Sequence, residues 1–521
     1  MTSPVAAPRA RAPRAAAAPP AVPALPWVQR APGAPYFVLE TGEPWTPVGA
    51  NESVTWPELS GLFRRRDLAG AEAYLHALRA SGVTVLRLML EYAQGEHRYL
   101  ERPAGRFVPA MVRLWDDLLA LCARAGLRVL LTPFDTFWHW NRWHRHPYNR
   151  RHGGPCGDRT QFLTCRDTRA HVRRRLAFAT ERWGANGTIF AWDLWNELHP
   201  AQGGDDHAAM RDFVDEVADG LRETELRLHG RAHPQTVSVF GPELRRHPAM
   251  RELVLAHPRL DFANVHLYAE RTIDDPRDTV APAVVVGALM EEALAATPEG
   301  RPLFDSEHGP IHAFKDRKKT LPAEFDDEYF RHIQWAHLAA GGAGGGMRWP
   351  NRHPHSLTPG MRAAQHALAR FLPLVDWPRF ARRPLRAALG VHDADTGRPL
   401  RLATAEPPPD PTRAPRVTLR GRDAAAFACG DDAQAVIYLL RVDARTDDGR
   451  VRRDVAPRAV AVDVPGLAPG AYAVAHVDPV TGAPLRQEHV GHAGGPLTVR
   501  ASLVADLVLA VRRLGNAGTP R

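Results

Sequence analysis

Trp192-Asp193-Leu194-Trp195-Asn196-Glu197-Leu198-His199-Pro200 and Leu303-Phe304-Asp305-Ser306-Glu307-His308-Gly309 follow one plan, a short apolar run that ends in a glutamate. Apolar runs of this length, bounded by turn residues, read as buried strands. A strand that ends in a carboxylate presents it at an edge of the sheet, so the question is whether one scaffold brings both edges together.

Working outward, the chain from Trp27 to about Leu374 alternates short apolar or β-branched runs with longer helical patterns, the mark of repeated βα units. Eight strand candidates are present: Thr46–Asn51, Val83–Leu90, Arg128–Pro133, Ile189–Trp195, Thr236–Phe240, Phe262–Leu267, Pro302–Ser306 and Gly345–Trp349. Helical periodicity lies between them, over Leu68–Ser81, Met111–Ala125, Arg169–Trp183, Ala208–Leu228 and Glu324–Ala340. Gly82 and Gly126 follow two of these helices, where a left-handed residue ends a helix at little cost. The count predicts an α/β fold, a (β/α)8 barrel with enlarged loops over residues 26–375. An open doubly wound sheet is disfavoured, because no glycine-rich phosphate loop follows the first strand. The run Gly341-Gly342-Ala343-Gly344-Gly345-Gly346 lacks the lysine and serine of a phosphate loop and reads as close helix-to-strand packing.

After Pro373 the helical period fades, and alternating runs appear at Ala435–Arg441, Ala459–Val464, Ala471–His476, Leu497–Val499 and Leu503–Val511. Pro469-Gly470, Thr481-Gly482 and Asp447-Asp448-Gly449 mark turns between them. Residues 376–521 are therefore expected to form an antiparallel β-sandwich. The sandwich shows no aromatic platform for a sugar, so it reads as a module that packs on the barrel.

Composition narrows the function classes. The net charge is +9, yet lysine occurs only at Lys315, Lys318 and Lys319, and nearly all the other basic residues are arginines scattered among acids. That skew resembles coding bias more than a polyanion site, and no nucleic-acid motif accompanies it. Arg64-Arg65-Arg66 and Arg173-Arg174-Arg175 read as solvated faces. No apolar run reaches membrane-spanning length. Residues 1–25, rich in Pro, Ala and Arg, read as a disordered tail without the apolar core of a secretory signal. A cytoplasmic location is the expectation, with export left open. With 4 cysteines, disulfides do not organise the fold. Cys122 reads as core, and Cys156 and Cys165 share a loop, either paired or free. The oligomeric state leaves no trace in the sequence.

Barrel enzymes carry their chemistry at the C-terminal ends of the strands. Those ends read Asn51, Arg87 with Glu91, Asp135 with Trp138, Asn196 with Glu197, His266 with Tyr268, Glu307, and Trp349. Two carboxylates on separate strands meet the requirement for acid/base-assisted cleavage of a glycosidic bond. Burial among Trp192 and Trp195 would raise the pKa of Glu197, as a general acid needs, and Tyr268 or Arg87 would keep Glu307 ionised. The segment Trp138-His139-Trp140-Asn141-Arg142-Trp143-His144-Arg145-His146 either walls a sugar cleft or packs on the barrel. A zinc site from His139, His144 and His146 lacks supporting ligand spacing.

From Trp27 to Leu374 the chain resembles the clan A glycoside hydrolases, especially the family 5 group of β-mannanases and cellulases. Trp195-Asn196-Glu197 resembles their acid/base motif at the end of strand four, and Phe304-Asp305-Ser306-Glu307 their nucleophile strand. His266-Leu267-Tyr268 resembles the His-x-Tyr pattern of strand six, Arg87 the strand-two arginine and Trp349 the strand-eight tryptophan. Val48-Gly49-Ala50-Asn51 resembles strand one of the mannanase-like branch. The resemblance implies a retaining β-glycosidase acting on an oligo- or polysaccharide without metal or organic cofactor. Glu307 would be the nucleophile and Glu197 the acid/base, with Arg87, Asp135, Asn196, His266, Tyr268, Trp138 and Trp349 as the substrate-binding shell. Asp135 stands where many members have histidine. Transfer to a second sugar on the same site, a non-catalytic carbohydrate-binding barrel and a metal-dependent hydrolase are the alternatives.

Overall fold

The structure, a computed structural model, describes residues 24–311, 320–350, 355–417 and 422–515. The expected tail lies outside the described residues except for its last two positions. The barrel strands are Gly49–Glu52, Val85–Met89, Arg128–Thr132, Ile189–Asp193, a fifth strand made of Gln235–Thr236 and Ser238–Phe240, then Ala263–Leu267, Leu303–His308 and Met347–Arg348. All neighbours pair in parallel. Strand five pairs with strand four through its first half and with strand six through its second, so the sheet closes on itself. Each of the eight expected strands is present, with ends that differ by a few residues.

The helices form because their apolar spacing faces this sheet. Pro109–Ala125 starts with Pro in its first turn, buries Leu114, Trp115 and Leu118, and ends at Gly126 with φ of 72°. Cys122 lies in this helix, fully buried, as expected for a core residue. One long helix, Val280–Ala295, is apolar nearly all round. Most of it is covered, and its two acidic residues, Glu291 and Glu292, reach Arg386 and Arg245. Its Gly287 meets the second domain so closely that a Cβ would lie 2.6 Å from the Phe427 ring.

The floor of the barrel is sealed by a small antiparallel sheet, Val28–Arg30, Phe37–Leu39 and Pro44–Trp45, which the sequence reading did not include. Its Phe37 packs edge-on against Phe190 and Phe262, with ring centroids 5.1 Å and 5.5 Å away. Beyond the barrel come a six-stranded antiparallel sheet and a three-stranded one, which enclose their own apolar core. The six-stranded sheet lies against helix Ala323–Ala339. Trp335 of that helix donates to the Pro479 carbonyl at 3.0 Å, and Arg331 reaches the buried carboxylate of Asp506 at 3.3 Å. Gly482, at φ of 66°, approaches Ala367 too closely for any side chain. Among the described residues no helix is long and apolar enough to cross a membrane.

One surface reading needs correction. Arg64, Arg65 and Arg66 are exposed, but Arg175 is buried and pairs at 2.6 Å with both Glu91 and Glu101. Its helix turns that position inward, onto the carboxylate that strand two presents.

Candidate active site

Glu197 and Glu307 meet over the C-terminal mouth of the barrel. A carboxylate oxygen of each and a nitrogen of His266 all lie within 4.8 Å of one another. His266 Nδ1 is 2.8 Å from Glu197 Oε1 and 3.6 Å from Glu307 Oε2, and its Nε2 is 3.0 Å from Ser306 Oγ. Side-chain exposure is 22% for Glu197 and 12% for Glu307, so both remain open to the cleft. Burial drives the imidazole down to a pKa of about 4, so His266 is neutral near pH 7.

Glu307 lies in extended backbone one residue before the end of strand seven and receives two strong donors. Arg87 Nη1 donates to Oε2 at 2.9 Å and the Tyr268 hydroxyl to Oε1 at 2.7 Å. Arg87 also donates through Nη1 to Asn51 Oδ1 and through Nη2 to Asp193 Oδ2 and Asn196 Oδ1. With Arg87 itself 1% exposed, this single guanidinium joins strands one, two, four and seven. Burial raises the Glu307 pKa and Glu197 adds to that, while His266, Arg87 and Tyr268 act against it.

Glu197 sits past the end of strand four with φ of 53°, a left-handed conformation that costs a non-glycine residue about 1–2 kcal/mol. Its neighbours hold it there. The Ser238 hydroxyl accepts from the Glu197 amide at 3.1 Å, and Thr136 Oγ1 donates to the Glu197 carbonyl at 2.7 Å. Burial raises its pKa to about 7; Arg87 opposes that rise and Asp193 and Glu243 reinforce it. Trp192 and Trp195 are the expected agents of this burial, and neither hydrogen-bonds the Glu197 carboxyl, which meets His266. Trp192 lies on the outward face of strand four and donates to Glu225 in the helix layer, and Trp195, past the end of that strand, donates to Thr136 and packs among Phe134, Phe162 and Phe213.

The remaining expected residues fall into two groups. Asn196 is in the constellation, held between Arg87 and the carboxylate of Asp135. Asp135 is 1% exposed and spends its oxygens on Asn196 and on the amides of Phe137 and Trp138. It stands behind Asn196 and away from the cleft surface. Trp349 and Trp138 belong to a chain of rings: Tyr92 is 5.5 Å from Trp138 and 5.7 Å from Trp349, and Trp56 is 5.2 Å from Trp349. Both indole Nε1 atoms are buried without a hydrogen-bond partner among the described residues. Most of the aromatic loop packs on the protein. His139 and His146 are buried and Trp140 lies under the Arg159 guanidinium, while Phe137 stays 45% exposed. The zinc reading of His139, His144 and His146 finds no donor cluster among the described residues. All four cysteines are free.

Three supporting residues escaped the sequence reading. Asp193 accepts from Arg87 and from the Ser238 amide and hydroxyl, and Ser306 faces His266. Inward alternation on strand four was the available signal for Asp193. Ser238 and Ser306 carry none, because their partners, Asp193 and His266, lie on strands distant in sequence.

No family model and no curated protein matches this chain. Its fold is matched by solved structures. One glycoside hydrolase aligns with 94% of this chain and 97% of its own at 13% identity, with a TM-score of 0.55. A family 5 glycoside hydrolase from Bacteroides vulgatus covers 93% and 94% of the two chains at 12% identity and a TM-score of 0.54. A further Bacteroides vulgatus structure, described as a putative glycoside hydrolase, covers 94% and 82% at 12% identity and a TM-score of 0.51. The chain thus has the fold of family 5 glycoside hydrolases over nearly its whole length, barrel and β-domain together.

Proposed function

We propose that this protein is a retaining glycoside hydrolase acting on β-linked glycosides. The observation that carries the reading is the approach of the two carboxylates, with oxygens within 4.8 Å. Retaining pairs stand about 5–5.5 Å apart, and inverting pairs leave room for a water at about 6.5–9.5 Å.

The surroundings support one assignment of roles. Arg87 and Tyr268 both favour the ionised form of Glu307, so in the coupled pair Glu307 loses its proton first and attacks the anomeric carbon. Glu197 retains its proton to about pH 7 and delivers it to the leaving oxygen. It then takes a proton from the water that releases the sugar from Glu307. Neutral His266 fixes the Glu197 carboxyl without adding a charge that would ionise it. Arg87 and Asp135 orient the Asn196 amide, which is positioned to meet a sugar 2-hydroxyl. Trp349 offers an indole face for the ring. The chemistry uses these side chains and calls for no metal or cofactor. On the same footing we divide the chain at Val375, since Asp376 already hydrogen-bonds Gln434 of the β-domain.

The test is the anomer first released from an aryl β-glycoside, observed by proton NMR before mutarotation. The β-anomer is expected. Release of the α-anomer would replace double displacement with a single inversion.

A further inference from the structure

Next to Glu197, outside the residues that serve the reaction above, lies a second cluster of donors. His199 caps the turn Pro200–Gly203 after strand four, and Glu243 opens the short helix Glu243–Arg246 after strand five, with His247 at its end. One ligand atom from each of His199, Glu243 and His247 lies within 4.8 Å of the other two. Glu243 is 8% exposed and each imidazole about a third, so the cluster is embedded yet reachable from solvent.

The distances are informative. Both Nε2 atoms point at one oxygen, Glu243 Oε2, from 3.4 Å for His199 and 3.6 Å for His247. Those separations exceed an ordinary N–H···O bond of about 2.7–3.2 Å. They match the edge of a tetrahedron with metal–ligand bonds of about 2.0–2.1 Å, which is roughly 3.4 Å. Arg246 occupies the other oxygen, Oε1, at 2.6 Å, which leaves Oε2 to the imidazoles. A third imidazole stands close by. The His207 ring is 5.8 Å from that of His247, and its buried Nε2 has no hydrogen-bond partner among the described residues.

We propose that His199 Nε2, Glu243 Oε2 and His247 Nε2 form a binding site for a divalent transition-metal ion of zinc-like chemistry at the rim of the cleft, with the His207 ring, 5.8 Å from that of His247, close by. Two imidazoles and one carboxylate suit zinc and leave a coordination position for water or His207. His199 limits the affinity. Its Nδ1 accepts from the Ala201 amide at 3.1 Å, so the free ring carries its proton on Nε2. Loading moves that proton to Nδ1 and gives up the Ala201 bond, which weakens binding by about tenfold. A micromolar site is the expectation.

The site is independent of the glycosidase reading, and its test needs no turnover. The full chain, stripped of metal, is titrated calorimetrically with zinc chloride at pH 7. One ion per chain is expected in wild type, with affinity at least tenfold weaker in His247→Ala and in Glu243→Gln and unchanged in Glu307→Gln. The last variant separates this site from the other donor group, Glu197–His266–Glu307. Cobalt(II) added to wild type should give the intense visible absorption of tetrahedral coordination, a readout that does not depend on any variant folding. The proposal is overturned by absence of stoichiometric binding, by wild-type affinity in His247→Ala, by loss of binding in Glu307→Gln, or by the faint spectrum of an octahedral cobalt ion.

Discussion

Glu307 leaves strand seven in extended backbone and points at two donors, Arg87 and Tyr268. Glu197 stands beyond the end of strand four at φ of 53°, and its carboxylate meets only neutral His266 among its close partners. The side chains are identical and the surroundings differ. Arg87 and Tyr268 offset part of the rise that burial imposes on Glu307, Glu197 has no such pair of donors, and both ends draw on one arginine. In the proposed mechanism this difference in donors is what separates the nucleophile from the acid.

The contrast is broken most severely by removing each carboxylate in turn. Glu307→Gln should lose about 10⁵–10⁶-fold in kcat/KM on every aryl β-glycoside, because no other group forms the intermediate. Glu197→Gln should lose about 10²–10⁴-fold on poor leaving groups and far less on a dinitrophenyl glycoside that needs no protonation. Losses that ignore the leaving group in both variants would abolish the distinction. Arg87→Met removes the charge common to both ends and strands Asp193 in the core. A loss of about 3–5 kcal/mol in denaturant unfolding is expected, against little change if the pair were solvated.

The pH profile sharpens the same comparison, measured with a chelator present. Activity requires protonated Glu197, so kcat/KM should fall as pH rises through about 7. It also requires ionised Glu307, so the acid limb follows that group. Tyr268→Phe removes a donor to the ionised form, raises the Glu307 pKa and should move the acid limb to higher pH by about one unit. The alkaline limb should stay in place. The smallest effect belongs to Asp135→Asn, which loosens the Asn196 amide. About a tenfold fall in kcat with KM nearly unchanged would mark positioning, and a fall in KM affinity alone would mark direct sugar contact.

Much of this was legible in the sequence because it depends on local patterns. Short apolar and β-branched runs revealed the eight strands, and reading their ends in order pointed to Arg87, Asn196, Glu197, His266, Tyr268 and Glu307. What escaped depends on packing between distant elements. The helix Val280–Ala295, apolar but for Glu291 and Glu292, carries no amphipathic period, since barrel and β-domain both pack on it. The strand Ala424–Gly430 is rich in alanine and gives no β-branched signal. Arg175 looked solvated within a run of three arginines until its helix turned it onto Glu91. Trp192 is near Glu197 in sequence but faces the helix layer from an outward position on strand four, so closeness along the chain does not bring it to the carboxyl.

The most direct test of the central claim is covalent trapping. A 2-deoxy-2-fluoro aryl β-glycoside, of the sugar that wild-type enzyme turns over fastest, slows release of the intermediate, and peptide mass mapping then locates it. One fluorosugar on Glu307 of wild type, absent from Glu307→Gln, is the expected result. A label on any other residue, or none on an enzyme that hydrolyses the parent glycoside, would contradict the assignment of Glu307 as nucleophile.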